Sequence, residues 1–253
     1  MSEKTQTTTF SGRTALVTGA SGGIGGAIAT LLARQGADLV LTYANHQADA
    51  EAVAERIRAL GRRVELLEGD LADPAIPARL VARTIEELGA CDILVANAGL
   101  GRKLSWDAVD LDAWDAAMAV NLRAPWLMTK AALPGMIARG FGRVLYVSSV
   151  AALTGGLVGP HYAASKAGLH GLMHHLAGRV AGQGVTVNTI APALIAGTRM
   201  LPTDPAHPDA LPAPIPVGRL GTVDDIAAMA LAMLANGYLT NKVITVDGGL
   251  YPA

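Results

Sequence analysis

The sequence predicts an α/β fold in which a doubly wound parallel sheet has helices on both faces. Short apolar runs alternate along the chain with helical stretches of about 10–15 residues, which is the pattern of successive β-α-β units. The apolar runs are almost continuous, as in DLVLT at 38–42, and this indicates strands that are covered on both faces. A glycine-rich turn at 19–25 joins the first apolar run to the first helical stretch, as parallel units with tight connections require.

The first half of the chain is predicted to form four strands and three helices. The strands are short runs rich in Val, Ile and Leu at 13–18, 38–42, 64–67 and 92–96. The helices are predicted at 24–34, 49–60 and 74–88, where buried Ala and Leu positions alternate with exposed polar ones. Gly61 and Gly89 follow the second and third helices as C-terminal stops.

The second half continues the same alternation. Strands are predicted at 143–147, 185–190 and 243–246, and long helices at 162–180 and 222–234. One or two helices are expected between 111 and 133, with Pro125 at a break or at a helix start. Thr222 and Asp225 resemble a capping box in which Asp replaces the usual Glu.

Composition limits the class of protein. The 253 residues are 51% hydrophobic with a formal net charge of −1, so a disordered chain is not expected and no basic excess is available for nucleic acid. The single cysteine, Cys91, excludes a disulfide scaffold. The polar N-terminal residues lack the apolar centre of a signal peptide, and no run of about 18 apolar residues predicts a membrane span. A cytoplasmic protein is expected.

The turn from Thr18 to Gly25 is the first candidate site. It follows a predicted strand and begins a predicted helix, which is the context of a dinucleotide-binding turn. Glycines let the backbone approach a pyrophosphate, and the free N–H groups of the helix N-terminus favour an anion. A turn that is rich in glycine only for close helix packing is the alternative.

The second candidate site combines a tyrosine, a lysine and a serine. Tyr162 and Lys166 are four residues apart and therefore share a helix face, where an ammonium would lower the pKa of the phenol. Ser148 and Ser149 end the fifth strand, at the edge where open parallel sheets place catalytic residues. Chance spacing in a helix, and termination of a strand by small polar residues, would explain the same residues without catalysis.

Taken together, these motifs resemble the short-chain dehydrogenase/reductase family over about residues 10–250, most of all its 3-oxoacyl-carrier-protein-reductase-type members. The matching segments are the glycine turn, Asp70-Leu71 after the third strand, Asn97-Ala98-Gly99 after the fourth, Asn121, Ser149, Tyr162 with Lys166, Pro192, and Val246 to Gly249. The resemblance implies one Rossmann-like domain spanning 1–253, with a seven-stranded sheet in the order 3-2-1-4-5-6-7. It also implies transfer of a hydride between NAD(P) and a carbonyl or an alcohol.

The resemblance implies a role for each matching residue. Tyr162 would be the general acid in carbonyl reduction, Lys166 would lower its pKa and hold the nicotinamide ribose, and Ser149 would orient the carbonyl. Asn121 would support a path of water molecules that resupplies the proton. The expected cofactor-binding residues are Gly19, Ser21, Gly23, Ile24, Gly25, Tyr43, Asn45, His46, Asp70, Leu71, Asn97, Ala98, Gly99, Tyr162, Lys166, Pro192 and Thr198.

The expected cofactor is NADP, with NAD as the alternative. NAD-dependent members place an acidic residue at the end of the second strand, where it binds the ribose 2′-hydroxyl. Tyr43 occupies this position, and the residues that follow it, Ala44 to His46, include no carboxylate. Gly22 and Asn45, however, stand where NADP-dependent members have arginine. Ser21, Asn45 and His46 are then the candidate donors to a 2′-phosphate.

The expected substrate is a small ketone or aldehyde, or the corresponding alcohol. Gly140 and Gly178 stand where acyl-carrier-protein reductases have arginines for their carrier, and the neighbouring Arg139 and Arg179 point about 100° away on a helix. Acyl-carrier reduction is the first alternative, and a non-catalytic dinucleotide sensor is an alternative from another class. The segment 193–216, with Leu194, Ile195, Met200, Leu201 and Leu211 as apolar contacts, is predicted to be a proline-stiffened lid.

The remaining aromatic and histidine side chains suggest packing. Trp106, Trp114 and Trp126 are expected in the core, although Trp106 could reach the substrate mouth, and His161 could contact substrate or lie in a solvated loop. His170 and His174 share a helix face, but the absence of acidic residues on that helix argues against a metal site. The helices around 125–138 and 163–180 have few charges, which indicates covered faces, and the family resemblance implies a homotetramer.

Overall fold

A computed structural model describes residues 9–201 and 213–251 of the chain. Its centre is a parallel sheet in the order β3-β2-β1-β4-β5-β6-β7, which confirms the predicted fold class and strand order. Each predicted strand is present with small changes at its ends. The strands are β1 (Thr14–Thr18), β2 (Asp38–Tyr43), β3 (Val64–Glu68), β4 (Ile93–Ala96), β5 (Gly142–Val147), β6 (Val185–Pro192) and β7 (Val243–Val246).

Eight α-helices surround this sheet in the described part of the chain. They are α1 (Gly23–Arg34), α2 (Gln47–Ala59), α3 (Ile76–Leu88), α4 (Leu111–Met118), α5 (Ala124–Ala138), α6 (Ala151–Thr154), α7 (Pro160–Val180) and α8 (Val223–Ala235). The capping box of α8 is confirmed, since Thr222 N donates to Asp225 Oδ2 over 2.8 Å and Asp225 N donates to Thr222 Oγ1 over 3.1 Å. None of the described helices is long and apolar enough to cross a bilayer.

The region between α4 and α5 differs most from the prediction. A π-helical turn, Ala119–Arg123, joins the two helices, and Pro125 lies in the first turn of α5 as expected. This α-helix extends past Pro134 to Ala138, five residues beyond the predicted end. Packing of its buried Met128, Ala132 and Met136 against the sheet offsets the hydrogen bond that Pro134 cannot donate.

The hydrophobic core has one layer on each face of the sheet. On one face, side chains of α1, α2 and α8 pack together, for example Leu32, Ile57 and Ile226. On the other face, α3, α5 and α7 contribute residues such as Leu80 and Met128. Successive strand residues point to opposite faces, and this alternation with two covered faces explains why the strands are apolar throughout.

The parallel arrangement brings the ends of distant strands to one edge. The glycine turn after β1, Tyr43 at the end of β2, Asn97 after β4 and Ser149 after β5 all follow the carboxyl end of a strand. Pro192 ends β6 at this edge as well. The fold therefore collects residues from across the sequence along one side of the sheet, where open α/β sheets bind their ligands.

Candidate active site and cofactor cleft

The glycine turn combines close packing with open space. Gly19 has a φ of +62°, and a Cβ there would lie 2.9 Å from Ala98 Cα. A Cβ on Gly25 would collide with the Asn97 amide and with Gly19 O. By contrast, Gly22 has a φ of +119° with no atom within 4 Å of the position of a Cβ. Some glycines of the turn therefore serve close packing, and others leave space that a ligand could occupy.

This open part of the turn fits the pyrophosphate of a dinucleotide. Helix α1 begins at Gly23 with no side-chain cap and no acidic residue in its first turn, so its N–H groups are available to an anion. A side chain at Gly22 or Gly23 would fill the space in front of these groups, and both have positive φ values that favour glycine.

Asn97 and Thr18 fix the shape of the glycine turn. The Asn97 side-chain amide donates to Thr18 O over 2.9 Å and to Gly19 O over 3.1 Å. Thr18 Oγ1 accepts from Asn97 N and from Ala98 N, each over 3.0 Å. Asn97 thus joins the ends of β1 and β4, which is a structural role additional to the lining of the cleft that the resemblance implies.

Helix α7 brings Tyr162 and Lys166 to the same edge. The two side chains are 5% and 3% exposed, and Lys166 Nζ lies 5.8 Å from the centroid of the Tyr162 ring. The ammonium donates to Val147 O over 2.8 Å. Ser149 is partly exposed at the end of β5, and Gly99 lies so close that a Cβ there would be 3.3 Å from Lys166 Nζ. The structure therefore brings the expected catalytic residues together.

Burial controls the ionisation of this pair. It lowers the pKa of Lys166 to about 8, because an ammonium loses most of its hydration there. Burial also raises the pKa of Tyr162 above its usual value, and the nearby Ser149 hydroxyl opposes this increase. Desolvation of the ring thus opposes the effect expected from the Lys166 ammonium, which donates to Val147 O, and the lowering of the phenol pKa by Lys166 stays a prediction.

Asn121 lies in the π-helical turn and is fully buried. Its Oδ1 accepts from Leu100 N over 2.7 Å, and its Nδ2 donates to Leu100 O and to Ser165 Oγ, each over 2.9 Å. Both N–H groups of the amide therefore bond to protein. The side chain holds the segment after β4 against α7, close to Tyr162, and its role in a path of water molecules stays a prediction.

The ends of β2 and β3 form the other side of the cleft. Tyr43 is half-buried, and Asn45 and His46 are exposed before α2. Asp70 is exposed, and its Oδ1 accepts from Ala72 N over 2.9 Å. Leu71 differs from the expectation, because its side chain is 7% exposed and packs in the core, so it presents only its backbone to a ligand.

Near the end of β2 lie two carboxylates that the residues directly after Tyr43 do not reveal. Glu68 is the register partner of Tyr43 on the neighbouring strand and is exposed. Asp49 lies in the first turn of α2, with its Oδ2 4.0 Å from His46 Nδ1. Strand register and the direction of α2 place both groups here.

The segment after β6 lies over the glycine turn. Ile195 is 5% exposed and joins the core, and Ala196 N donates to Gly221 O over 2.9 Å, so the segment is anchored where it begins. Thr198 Oγ1 donates to Ile195 O over 3.0 Å, and its methyl carbon is 4.0 Å from where a Cβ of Gly23 would be. Much of the predicted lid, including Leu211, Pro202, Pro205, Pro208 and Pro212, lies outside the described residues.

Arg199 is a residue of the cleft that the sequence analysis missed. Its guanidinium reaches Ser21 of the glycine turn and Asp49 of α2. The positions at which the resemblance expects arginine hold Gly22 and Asn45, and Arg199 lies far from both in the sequence. The sequence does place this arginine directly after Thr198, on the segment expected to close over the cofactor. That position was the signal that could have indicated a contact with the cofactor.

Among the described residues, no group of three or more His, Cys, Asp or Glu side chains is arranged to hold a metal ion. His170 Nε2 lies 2.9 Å from Ser148 Oγ, and His174 Nδ1 lies 2.6 Å from Asn241 Oδ1. His161 is 2% exposed on α7, so the solvated-loop interpretation is wrong. The core position expected for Trp106 is also wrong, since this side chain is 83% exposed.

Comparison with known proteins adds independent evidence. The family model for short chain dehydrogenases matches residues 13–208. L-rhamnose 1-dehydrogenase (NAD(P)(+)) of Sphingomonas sp. strain SKA58 is 35% identical over 246 residues, covering 95% of this chain and 96% of its own. The 3-oxoacyl-acyl-carrier-protein reductase of Escherichia coli strain K12 is 37% identical over 247 residues, covering 96% and 98%.

A solved structure is similar over the same extent. The blue fluorescent protein from a metagenomic library, crystallised in complex with NADPH, superposes with a TM-score of 0.89 at 35% identity. The match covers 96% of this chain and 100% of that protein. The similarity in fold and the similarity in sequence thus extend over the same part of the chain, which is nearly all of it.

Proposed function

The chain belongs to the short-chain dehydrogenase/reductase family of oxidoreductases, and within it we propose an NADP(H)-dependent enzyme that interconverts a small ketone or aldehyde with its alcohol. The observation that supports this most directly is the proximity of Tyr162 to both Ser149 and Lys166, on the sheet edge where α1 begins without a side-chain cap. Use of NADP is supported by the NADPH in the similar metagenomic protein and by the nicotinamide cofactor in the name of the rhamnose dehydrogenase.

Each residue of the site has a proposed task. Ser149 Oγ orients the substrate carbonyl and Tyr162 Oη donates the proton to its oxygen, since the raised pKa of this phenol keeps it protonated at neutral pH. Lys166 Nζ holds the nicotinamide ribose, and Asn121 supports resupply of the proton. Bound NADPH supplies the hydride. The residues assigned to the cofactor in the sequence analysis are proposed to hold it, with Leu71 acting through its backbone.

The mouth of the site favours a compact, apolar substrate. Met200 lies beside Gly101 and Tyr162, because a Cβ on Gly101 would be 2.8 Å from Met200 Cε and 3.1 Å from the tyrosine ring. Met200 is 45% exposed, and Leu157, on the loop that leads to α7, is 69% exposed. An apolar substrate would cover such surface, which is the reason for preferring a small ketone.

Two alternatives remain. For an acyl-carrier reductase, the arginines nearest the carrier-docking positions would be Arg139 and Arg179. Arg139 is already engaged, since its Nε donates to the buried Asp92 over 2.9 Å, and this disfavours a carrier. A non-catalytic dinucleotide sensor would need the glycine turn but no proton donor, and the complete catalytic set argues against it.

Oxidation of NADPH with a panel of substrates tests the proposal. The panel contains a small cyclic ketone, acetoacetyl-CoA and acetoacetyl-carrier protein, with NADP⁺ and L-rhamnose for the reverse reaction. We expect the free ketone to give the highest kcat/KM. A preference for the carrier-bound substrate would favour the first alternative, whereas cofactor binding without turnover of any carbonyl or alcohol would favour the sensor.

The cofactor preference gives a direct prediction. We expect the chain to bind NADPH more tightly than NADH, and Tyr43→Asp to shift this preference towards NADH. A carboxylate at this position would repel the 2′-phosphate and accept a hydrogen bond from a free 2′-hydroxyl. Fluorescence titration of both cofactors measures the effect, with Tyr43→Phe as the matched control. Binding of NADH about tenfold tighter than NADPH by the unaltered chain would contradict the proposal.

We also propose a homotetramer that uses the faces of α5 and α7. Trp126 is 45% exposed beside Met118, Leu122 and Leu172, and these side chains form the apolar part of a groove that Asp115 and Arg123 also line. Light scattering should give four times the mass of one chain. We expect Trp126→Arg to lower this mass, because it removes the largest apolar side chain of the groove and adds a second cation beside Arg123. Leu60→Arg on the opposite face of the sheet should leave the mass unchanged. A monomeric wild-type chain would refute the assembly.

The remaining proposals concern organisation and location. We propose that residues 1–253 form one domain in which 193–216 covers the substrate, which the anchoring of Ile195 and the position of Thr198 over Gly23 support. A cytoplasmic location is proposed because the single cysteine, Cys91, cannot form a disulfide within the chain.

A further inference from the structure

Arg199 joins three parts of the cleft. Its side chain extends from the segment after β6, where Nη1 donates to Ser21 Oγ over 3.3 Å and Nη2 donates to Asp49 Oδ2 over 2.9 Å. Nη2 also lies 3.5 Å from Ser21 O. The guanidinium therefore lies between the glycine turn and the first turn of α2.

This position is where the adenosine ribose of a dinucleotide belongs. In Rossmann-like folds the ribose lies between the turn after β1 and the end of β2, and the 2′-substituent points to residues at the start of the second helix. Residues 19–25 and 43–49 contain no Lys or Arg. The cationic group that the structure places there comes from Arg199, 150 or more residues later in the chain.

We propose that Arg199 binds the 2′-phosphate of NADP(H) and leaves Asp49 when the cofactor arrives. The proposal rests on the proposed use of NADP. A phosphate monoester carries a charge of about −1.5 to −2 at neutral pH and accepts two parallel hydrogen bonds from a guanidinium. The Asp49 carboxylate binds Arg199 more weakly than a phosphate would. The Arg199 and Asp49 side chains are 58% and 59% exposed, and an ion pair exposed to water is weak.

This contact also links cofactor choice to the cover of the site. Arg199 follows Thr198, whose methyl carbon lies over Gly23, so a phosphate that holds Arg199 also holds this segment over the pyrophosphate position. NADH lacks the 2′-phosphate and therefore cannot hold Arg199 or this segment in the same way. Asp49 would weaken this contact, because its carboxylate competes with the 2′-phosphate for the Arg199 guanidinium.

The test compares binding of paired ligands that differ only in the 2′-phosphate. Titration calorimetry measures NADPH against NADH, and 2′,5′-ADP against 5′-AMP, for wild type, Arg199→Gln, Arg199→Lys and Asp49→Asn. Arg79→Gln, an exposed arginine on α3, is the matched control for loss of one charge. The two adenosine fragments lack the nicotinamide, so they report the 2′-phosphate contact without any contribution from the catalytic residues.

We expect Arg199→Gln to weaken NADPH and 2′,5′-ADP about tenfold or more while NADH and 5′-AMP bind as before. Arg199→Lys should keep part of the affinity, and Asp49→Asn should tighten 2′,5′-ADP about threefold. If Arg199→Gln lost affinity for NADPH and NADH equally, or kept the wild-type preference for NADPH, the assignment of Arg199 to the 2′-phosphate would be overturned. The proposed use of NADP would then still stand. A wild type that binds both members of each pair equally would instead overturn the proposed NADP preference, and the role of Arg199 with it.

Discussion

Tyr162→Phe is expected to lower kcat for carbonyl reduction by about 100- to 10,000-fold, because the phenol is the proposed general acid. Binding of NADPH should change little, since the ring and its packing remain. Tyr146→Phe is the matched control, because Tyr146 is a fully buried tyrosine of β5 whose hydroxyl lies 2.8 Å from Thr129 Oγ1. This control removes a phenol hydroxyl from the core and should leave kcat near that of wild type.

The pH dependence provides a second measurement for the same residue. Because burial raises the pKa of Tyr162, the phenol is protonated at neutral pH, as reduction requires. Oxidation of the alcohol needs the phenolate, so its rate should increase as pH rises, and this dependence should disappear in Tyr162→Phe. Full activity of the Phe variant, or a pH profile identical to that of wild type, would show that another group transfers the proton.

Lys166→Met is expected to reduce both kcat and the affinity for NADPH, because its ammonium is proposed to hold the nicotinamide ribose beside Tyr162. Met keeps most of the apolar stem, so the variant removes the charge while filling the same space. With a pKa of about 8, wild-type Lys166 loses its charge as pH rises from 7 to 9. NADPH affinity should therefore fall over this range in wild type and stay level in Lys166→Met.

Lys166→Met should increase the stability of the fold although it lowers activity. The pKa of Lys166 falls from its ordinary value of 10.5 to about 8 in the fold, so the buried ammonium costs roughly 3 kcal/mol below pH 8. This cost disappears between pH 8 and 10.5, where the unfolded chain binds more protons than the folded one and stability therefore rises with pH. Denaturant unfolding at pH 7 should thus show Lys166→Met to be more stable than wild type. A variant that is less active but also less stable would indicate general damage to the fold.

Sequence patterns alone predicted the fold class and most element boundaries, and the family resemblance that they carry added the strand order. Local patterns were sufficient here, because covered parallel strands are apolar throughout and the connecting helices have capping residues such as Thr222 and Asp225. The motif spacing also selected the residues that the fold brings together, namely Tyr162, Lys166 and Ser149. Their assigned tasks remain predictions that the variants above test.

The ionisation of these groups, and the distant residues that join them, depend on the tertiary structure. The pKa values of Tyr162 and Lys166 follow from burial, which depends on the packing of several elements and is not a property of a four-residue spacing. Leu71 lies in the core, and Glu68 reaches Tyr43 through strand register. Arg199 meets Ser21 and Asp49 because the parallel sheet ends β1, β2 and β6 at one edge, and contacts across 150 or more residues leave no periodic signal in a single sequence.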